Sequence, residues 1–342
     1  MADRAFRAAI LANLRYVSDG PLYFPDSAGG RSVPHRVINR FSLLNRAECC
    51  VIVLSMTGAE MVADPRGAVR RVLDAVLYAQ DEVGADVVGL TSLTSSVTMQ
   101  GRWLADRPEV KVALTHGDAY ASALTVEGVR LAVEKTGRSM DRVMVGVLGA
   151  YGLIGRAVSL KLAETGCRLM LVGPNPNKLA ALCAELPESQ CAVGSSTDLA
   201  ALADADVIVT ATSNAEALVT APVVKNHPSK VVIYEVSVSP NLPKEAFHRL
   251  RAERSNVVKI DGAMAAIPGV DIGFTIPEVP QGTTYSCWAE TFMQALEGDL
   301  EHHVGPIDLG HMDITADRAR KYGFGHAPFT CFGEPVTEGE FS

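Results

Sequence analysis

Two groups of residues combine side chains and spacings that can do chemistry. The first is Gly149-Ala150-Tyr151-Gly152-Leu153-Ile154-Gly155, a G-x-x-G-x-x-G turn. Residues without a Cβ let backbone N–H groups and the start of a following helix approach a pyrophosphate. Gly149, Gly152 and Gly155, with the N–H groups of Tyr151, Leu153 and Ile154, are therefore the candidate cofactor cradle. A plain strand-to-helix turn uses the same glycines, and context separates the two readings. The second group is Cys287 with His116 and Asp118. Cys287 follows the stretch Gln281–Ser286 (QGTTYS) and falls in or just before the first turn of a helix. Free N–H groups and the helix dipole there favour a thiolate nucleophile. The competing role is that of a buried apolar cysteine. His116 and Asp118 sit in a loop, Thr115–Tyr120 (THGDAY). There His116 suits general acid/base work or a hydrogen-bonded structural role.

The elements that must position these residues follow from periodicity. The apolar run Val143–Leu148 has the length of one buried strand, and Arg156–Thr165 after the glycine turn reads as a helix. Further strands are predicted at Arg168–Val172, Val207–Ala211, Val231–Val236 and Val257–Ile260, with helical connections at Lys178–Leu186 and Thr197–Leu202. Crossovers of this length give a parallel, doubly wound sheet with ligands at the carboxyl ends of its strands. This context favours the dinucleotide site. Before it, strands at Cys49–Ser55, Ala85–Leu90 and Val110–Leu114 alternate with helices at Pro65–Val83 and Ser122–Thr136, a first α/β domain. The stretch 1–17 reads as a short amphipathic helix, and 17–34 as a loop. The hydroxyl-rich Thr91–Ser96 reads as a capping or turn segment before a ligand site.

The fold class expected is α/β in two domains. A Rossmann-type domain spans 141–280, and a smaller substrate domain combines 1–140 with 281–342. At the end of the second Rossmann strand, Val172–Lys178 (VGPNPNK) carries no carboxylate to receive a ribose 2′-OH. Asn175 and Lys178 suit a 2′-phosphate, so the expected cofactor is NADPH. Thr212 and Ser213, after the strand Val207–Ala211, fall where the nicotinamide half would lie.

Composition sets outer bounds. The chain of 342 residues is 48% hydrophobic and 20% charged, as expected of a protein that buries a sizeable core. A net charge of −8 argues against a nucleic-acid-binding surface covering the protein. Seven cysteines without framework spacing point to a reducing, cytoplasmic compartment. No C-x-x-C pair or dense ligand cluster appears, so no metal is expected. No apolar run reaches the length of a membrane span.

The order of Thr115–Asp118, the glycine turn, Asn241-Leu242, Cys287-Trp288-Ala289-Glu290, Leu296-Glu297-Gly298 and Arg318–Phe324 (RARKYGF) resembles the cyanobacterial long-chain acyl-[acyl-carrier-protein] reductases over roughly residues 48–328. The chain departs from that pattern at Tyr151 and Leu153, at Thr115–Asp118, and in its shorter N-terminal region. The resemblance implies an NADPH-dependent reductase of an acyl thioester, bound to an acyl carrier protein or coenzyme A, that forms an aldehyde through an acyl intermediate on Cys287. Under that implication, arginines in Arg249–Arg254 and Arg318–Lys321 would dock an acidic carrier. The alternatives are a shikimate-dehydrogenase-like alcohol or amino-acid dehydrogenase and a catalytically silent NADP-binding partner protein. The dehydrogenase chemistry uses a Lys/Asp pair; Asp118 is available for it, and no lysine stands in a matching N-terminal loop.

Overall fold

The computed structural model describes residues 5–25, 33–187, 192–214, 216–224, 228–237 and 240–342. The chain divides into two compact units, residues 1–120 with 265–325 and residues 121–264 with 326–342. The division differs from the boundaries read from sequence. The helix Asp118–Lys135 belongs to the second unit from Ala121 onward, as does the C-terminal segment from His326.

The first unit contains a five-stranded sheet of β1 (Phe6–Leu14), β2 (His35–Leu43), β3 (Ala47–Thr57), β4 (Val87–Leu90) and β5 (Ala113–Thr115), in the order β2-β3-β1-β4-β5. Within this sheet only the β2–β3 pair is antiparallel. β1 corrects the sequence reading. The segment expected to be an amphipathic helix is the central strand of this sheet. Ala8–Leu11 are fully buried between β3 and β4, and a short alanine-rich apolar run fits either state by periodicity alone. Three more findings refine the N-terminal region. The edge strand β2 has no counterpart among the predicted strands, part of the expected loop forms helical turns at Val17–Asp19 and Gly20–Tyr23, and 26–32 of that loop lie outside the described residues. The helix Pro65–Tyr78 buries Ala68, Val72, Ala75 and Val76 and widens into a π-helical turn at Ala79–Val83. The helix Ser286–Glu297, also in this unit, is buried along almost its whole length.

The second unit is a six-stranded, all-parallel sheet of β6 (Met144–Leu148), β7 (Arg168–Val172), β8 (Val193–Ser196), β9 (Val207–Thr210), β10 (Val231–Glu235) and β11 (Val257–Asp261). Its order is β11-β10-β9-β6-β7-β8, so the winding reverses between β6 and β9. That is the doubly wound α/β arrangement expected from the sequence. The carboxyl end of β6, at the reversal, is where such sheets bind nucleotides. β8 is absent from the sequence reading, because its residues Val193–Ser196 are only partly buried and carry little apolar signal.

Candidate functional site

In the second unit the glycine turn leads from β6 into the helix Leu153–Ala163, with Gly152 at the N-cap position and no side chain capping the helix. The turn is held by its own backbone: the N–H groups of Gly149 and Ala150 donate to the Val172 carbonyl at 2.8 and 3.2 Å, and that of Gly152 donates to Gly149 at 2.9 Å. A Cβ at Gly149 (φ +85°) would lie 2.5 Å from the Ala211 carbonyl oxygen. One at Gly155 would lie 2.2 Å from the Gly149 oxygen. Close helix–strand packing and an uncapped helix start are what a pyrophosphate site requires. A dinucleotide fits this turn, with Gly149–Gly155 as its cradle.

Tyr151 takes a position that its sequence context does not reveal. Its ring packs where a Cβ of Gly173 would come within 2.6 Å, and its phenol oxygen accepts the Asn175 N–H at 3.1 Å. The Lys178 ammonium stands 5.5 Å from the centre of that ring. Asn175 itself caps the helix Pro176–Glu185, its carboxamide oxygen accepting from the N–H groups of Asn177 and Lys178 at 3.0 and 3.1 Å. Asn175 is thus committed to helix capping through its oxygen. With the helix start capped, the Lys178 ammonium is the group left to meet an anion there.

Thr212 is likewise committed. Its hydroxyl donates to the Asn241 carboxamide oxygen at 2.8 Å and accepts the Asn214 N–H at 3.1 Å. Asn241, fully buried, also accepts from Ser237 Oγ at 2.9 Å and donates to the carbonyls of Asn214 and Glu216 at 3.0 and 3.1 Å. Its four hydrogen-bonding positions are therefore filled. It ties together the loops that leave β9 and β10. Ser213 is exposed at the tip of the first of these. The polar turn gives a signal in sequence; the buried asparagine that organises it gives none apart from the resemblance.

In the first unit the other three candidates come together. Cys287 is the second residue of the helix Ser286–Glu297, and a Cβ on Gly117 (φ +75°) would lie 2.3 Å from the Cys287 Cα. Only glycine allows the Thr115–Tyr120 loop to lie this close to the helix start. Next to Gly117, the Asp118 N–H donates to His116 Nδ1 at 3.0 Å, and His116 Nε2 lies 3.1 Å from the Gly305 carbonyl. This pairing assigns the proton to Nε2. The Asp118 carboxylate oxygen is 3.3 Å from His116 Nδ1.

Glu290, one turn after Cys287, has no signal in the sequence beyond its place in the resemblance motif. Its carboxylate accepts from Thr115 Oγ1 and from the Tyr120 N–H, each at 2.7 Å, and lies 3.7 Å from His311 Nε2. Burial would raise its pKa, but His311, His116 and the Thr115 hydroxyl together hold it below the ordinary glutamate value, so Glu290 is ionised. Burial pushes Asp118 up to about 6; His116 pulls it down and the charge of Glu290 adds to the rise. Cys287 is half-buried, and burial reinforced by Asp118 and Glu290 pushes its thiol far above the ordinary value. The N–H groups of Cys287 and Trp288 act in the opposite direction and are outweighed. The thiolate expected at this helix start is therefore corrected: the helix N-terminus is present, but two carboxylates stand beside it.

Among the described residues there is no group of three or more His, Cys, Asp or Glu side chains able to hold a metal ion, and no helix long and apolar enough to cross a membrane. Basic residues of the two segments considered for carrier docking pair with acidic side chains of the chain itself. Arg318 meets Asp299 at 2.7 Å, Arg251 meets Glu340 at 3.2 Å, and Lys321 meets Glu297 at 2.6 Å.

The segment 130–265 matches the family model of shikimate / quinate 5-dehydrogenase. It is under half of the chain and covers the glycine turn together with β6–β11. The match supports an NAD(P)-dependent oxidoreductase. No curated protein matches the chain. Among solved structures, shikimate 5-dehydrogenase from Thermus thermophilus is similar at 17% identity, over 92% of this chain and 98% of that one, with a TM-score of 0.39. L-tryptophan dehydrogenase from Nostoc punctiforme is similar at 14% identity, over 93% of this chain and 86% of that one, with a TM-score of 0.38. D-lactate dehydrogenase from Lactobacillus jensenii is similar at 12% identity, over 95% of this chain and 99% of that one, with a TM-score of 0.34.

The family match overturns the expectation of an aldehyde-forming acyl-thioester reductase: the matched model is shikimate / quinate 5-dehydrogenase. The acyl-cysteine intermediate, and the carrier protein or coenzyme A partner that went with it, fall with that reading.

Proposed function

We propose that this protein is an NADP-dependent dehydrogenase that interconverts a secondary alcohol on a small polar substrate and the corresponding ketone. The observation that carries the reading is Asp118. It is a carboxyl brought to about 6 by burial, 3.3 Å from an imidazole nitrogen and at the head of a helix. A proton-transfer group works best when its pKa lies near the working pH.

A nicotinamide cofactor supplies or accepts the hydride. Gly149–Gly155 and the uncapped start of the helix Leu153–Ala163 would bind its pyrophosphate. Lys178, beside Tyr151 at the end of β7, would read a 2′-phosphate, and no carboxylate is present to favour a free 2′-OH. In the direction of oxidation, Asp118 takes the proton of the substrate hydroxyl as its carbon gives up hydride. In reduction, the protonated Asp118 returns that proton to the forming alkoxide. His116, held on one side by the Gly305 carbonyl and on the other by the Asp118 N–H, positions the Asp118 backbone, and its Nδ1, 3.3 Å from the carboxyl, can accept the proton of the acid form. The six described cysteines are all free, which supports a cytoplasmic setting.

The reading is tested by incubating the protein with NADP+ or NAD+ and a panel of hydroxy acids, cyclic alcohols and amino acids, following reduced cofactor. Turnover of a hydroxylated acid or alcohol with preference for NADP+ is expected. Binding of NADPH with no turnover of any member would contradict the reading and favour a silent binding protein.

A further inference from the structure

We propose that Glu290 is the positioning residue of this site, its buried carboxylate clamping both ends of the Thr115–Tyr120 loop against the helix of Cys287 and setting a fixed negative charge beside Asp118 and the thiol. The inference rests on the dehydrogenase reading for its kinetic part only. The geometry stands on a chain of contacts that starts at the Glu290 carboxylate. One carboxylate oxygen accepts from Thr115 Oγ1 at 2.7 Å, and the other from the Tyr120 N–H at 2.7 Å. Thr115 Oγ1 in turn accepts the Gly117 N–H at 3.0 Å, which fixes the glycine that lies against Cys287. His311 Nε2 approaches at 3.7 Å, and its ring stacks on His303 with centroids 3.6 Å apart and planes within 9°. His303 in turn bonds Asp299 at 2.9 Å, and Asp299 meets Arg318 at 2.7 Å.

Both ends of the loop that carries His116 and Asp118 are thus bonded to one side chain. Glu290 is almost fully buried, so its charge is poorly screened. The ionisable groups facing this point are His116 and Asp118 from the loop, Cys287 from the helix, and His311 with His303 behind it. Glu290→Gln removes the charge and leaves one accepting oxygen, which can keep the Tyr120 N–H while the amide NH2 turns to donate to Thr115 Oγ1. That contrast separates positioning by shape from tuning by charge.

The test uses the full-length chain and the variants Glu290→Gln and Glu290→Asp. The first readout needs no turnover: the pH dependence of iodoacetamide alkylation at Cys287, followed by peptide mass spectrometry with Cys287→Ala as blank. In Glu290→Gln the alkylation rate at a fixed pH of about 9 rises about tenfold, equivalent to a profile moved about one unit to lower pH, as expected when a neighbouring like charge is removed. The second readout is the pH profile of alcohol oxidation, whose limb assigned to Asp118 moves the same way. Glu290→Asp keeps the charge and loses the reach; its profiles stay in place while kcat falls at least about tenfold, a loss typical of misplaced catalytic groups. An unshifted thiol profile and an unshifted kinetic limb in a folded Glu290→Gln would overturn the tuning role. If Glu290→Gln does not fold, Glu290→Asp decides, and wild-type kcat in that variant would overturn the clamp. A shifted thiol profile in a protein that oxidises no alcohol would sink the dehydrogenase reading and uphold the role of Glu290.

Discussion

The phenol oxygen of Tyr151 accepts the backbone N–H of Asn175 at 3.1 Å, joining the glycine turn after β6 to the start of the helix after β7. Lys178, in the first turn of that helix, stands above the same ring, and in the proposed function this pair would meet the adenosine half of the cofactor. Lys178→Ala should weaken NADPH binding about tenfold, on the order of 1.4 kcal/mol, and leave NADH binding unchanged. Fluorescence titration with both cofactors checks this. Equal weakening of the two would show that Lys178 does not read the 2′-phosphate.

The glycine turn itself tolerates no side chain at its third glycine. A Cβ at Gly155 meets the Gly149 carbonyl oxygen at 2.2 Å, and that oxygen belongs to the backbone, so it cannot rotate away. Gly155→Ala should cost about 2 kcal/mol or more of stability, in the range of substitutions that force backbone strain. It should abolish NADPH binding as well. Denaturant unfolding and cofactor titration on the same sample measure both.

Much of this organisation is legible in the sequence where one physical signal dominates. β6, the glycine turn and β7 lie within a residue or two of their expected bounds, because a largely buried parallel strand leaves a near-continuous apolar run. β1 is misread because Ala8, Ala9 and Leu11 carry no β-branched side chains, and only the flanking strands make the segment a strand. At the site, glycine spacing and a histidine next to an acid are visible. The clamp by Glu290 is not, since Glu290 meets Thr115 across 175 residues of sequence. Nor is the sign of the effect on Cys287. The helix start is legible; the two carboxylates packed beside it depend on the fold.

Asn241 carries the loops at the ends of β9 and β10 on one carboxamide. Asn241→Ala would leave the hydroxyls of Thr212 and Ser237 and two carbonyls without their buried partner. A loss of about 2 to 4 kcal/mol is expected from stranded polar groups. Thermal unfolding should show it, and NADPH should restore part of the lost stability by binding the folded state. A variant as stable as the wild type would show that these loops do not depend on Asn241.

Asp118 also makes a prediction about stability and pH. Its folded pKa of about 6 lies above the ordinary value of 3.8. A carboxyl raised in the folded state favours folding when protonated, and that contribution is lost as pH rises from about 4 through about 6. The difference corresponds to roughly 3 kcal/mol at most. Asp118→Asn removes the titration. Its stability relative to wild type should therefore increase between about pH 4 and 6 and level off above, as read by urea unfolding across that window. A constant difference across the window would mean that Asp118 titrates normally.

The same titration governs turnover with opposite signs in the two directions. Alcohol oxidation needs the carboxylate and should rise through about pH 6, while ketone reduction needs the acid and should fall through it. Initial rates in both directions, at saturating cofactor, would display the two limbs. Parallel limbs in both directions would place the titrating group elsewhere.

The measurement that tests the account most directly is a paired one on wild type and Asp118→Asn. It compares kcat for oxidation of the best alcohol of the panel by NADP+ with the dissociation constant for NADPH. A fall in kcat of at least about a hundredfold is expected, the usual contribution of a general acid/base, with NADPH affinity unchanged because the proposed cradle belongs to the Rossmann unit. Retained kcat in the variant would contradict the assignment of proton transfer to Asp118.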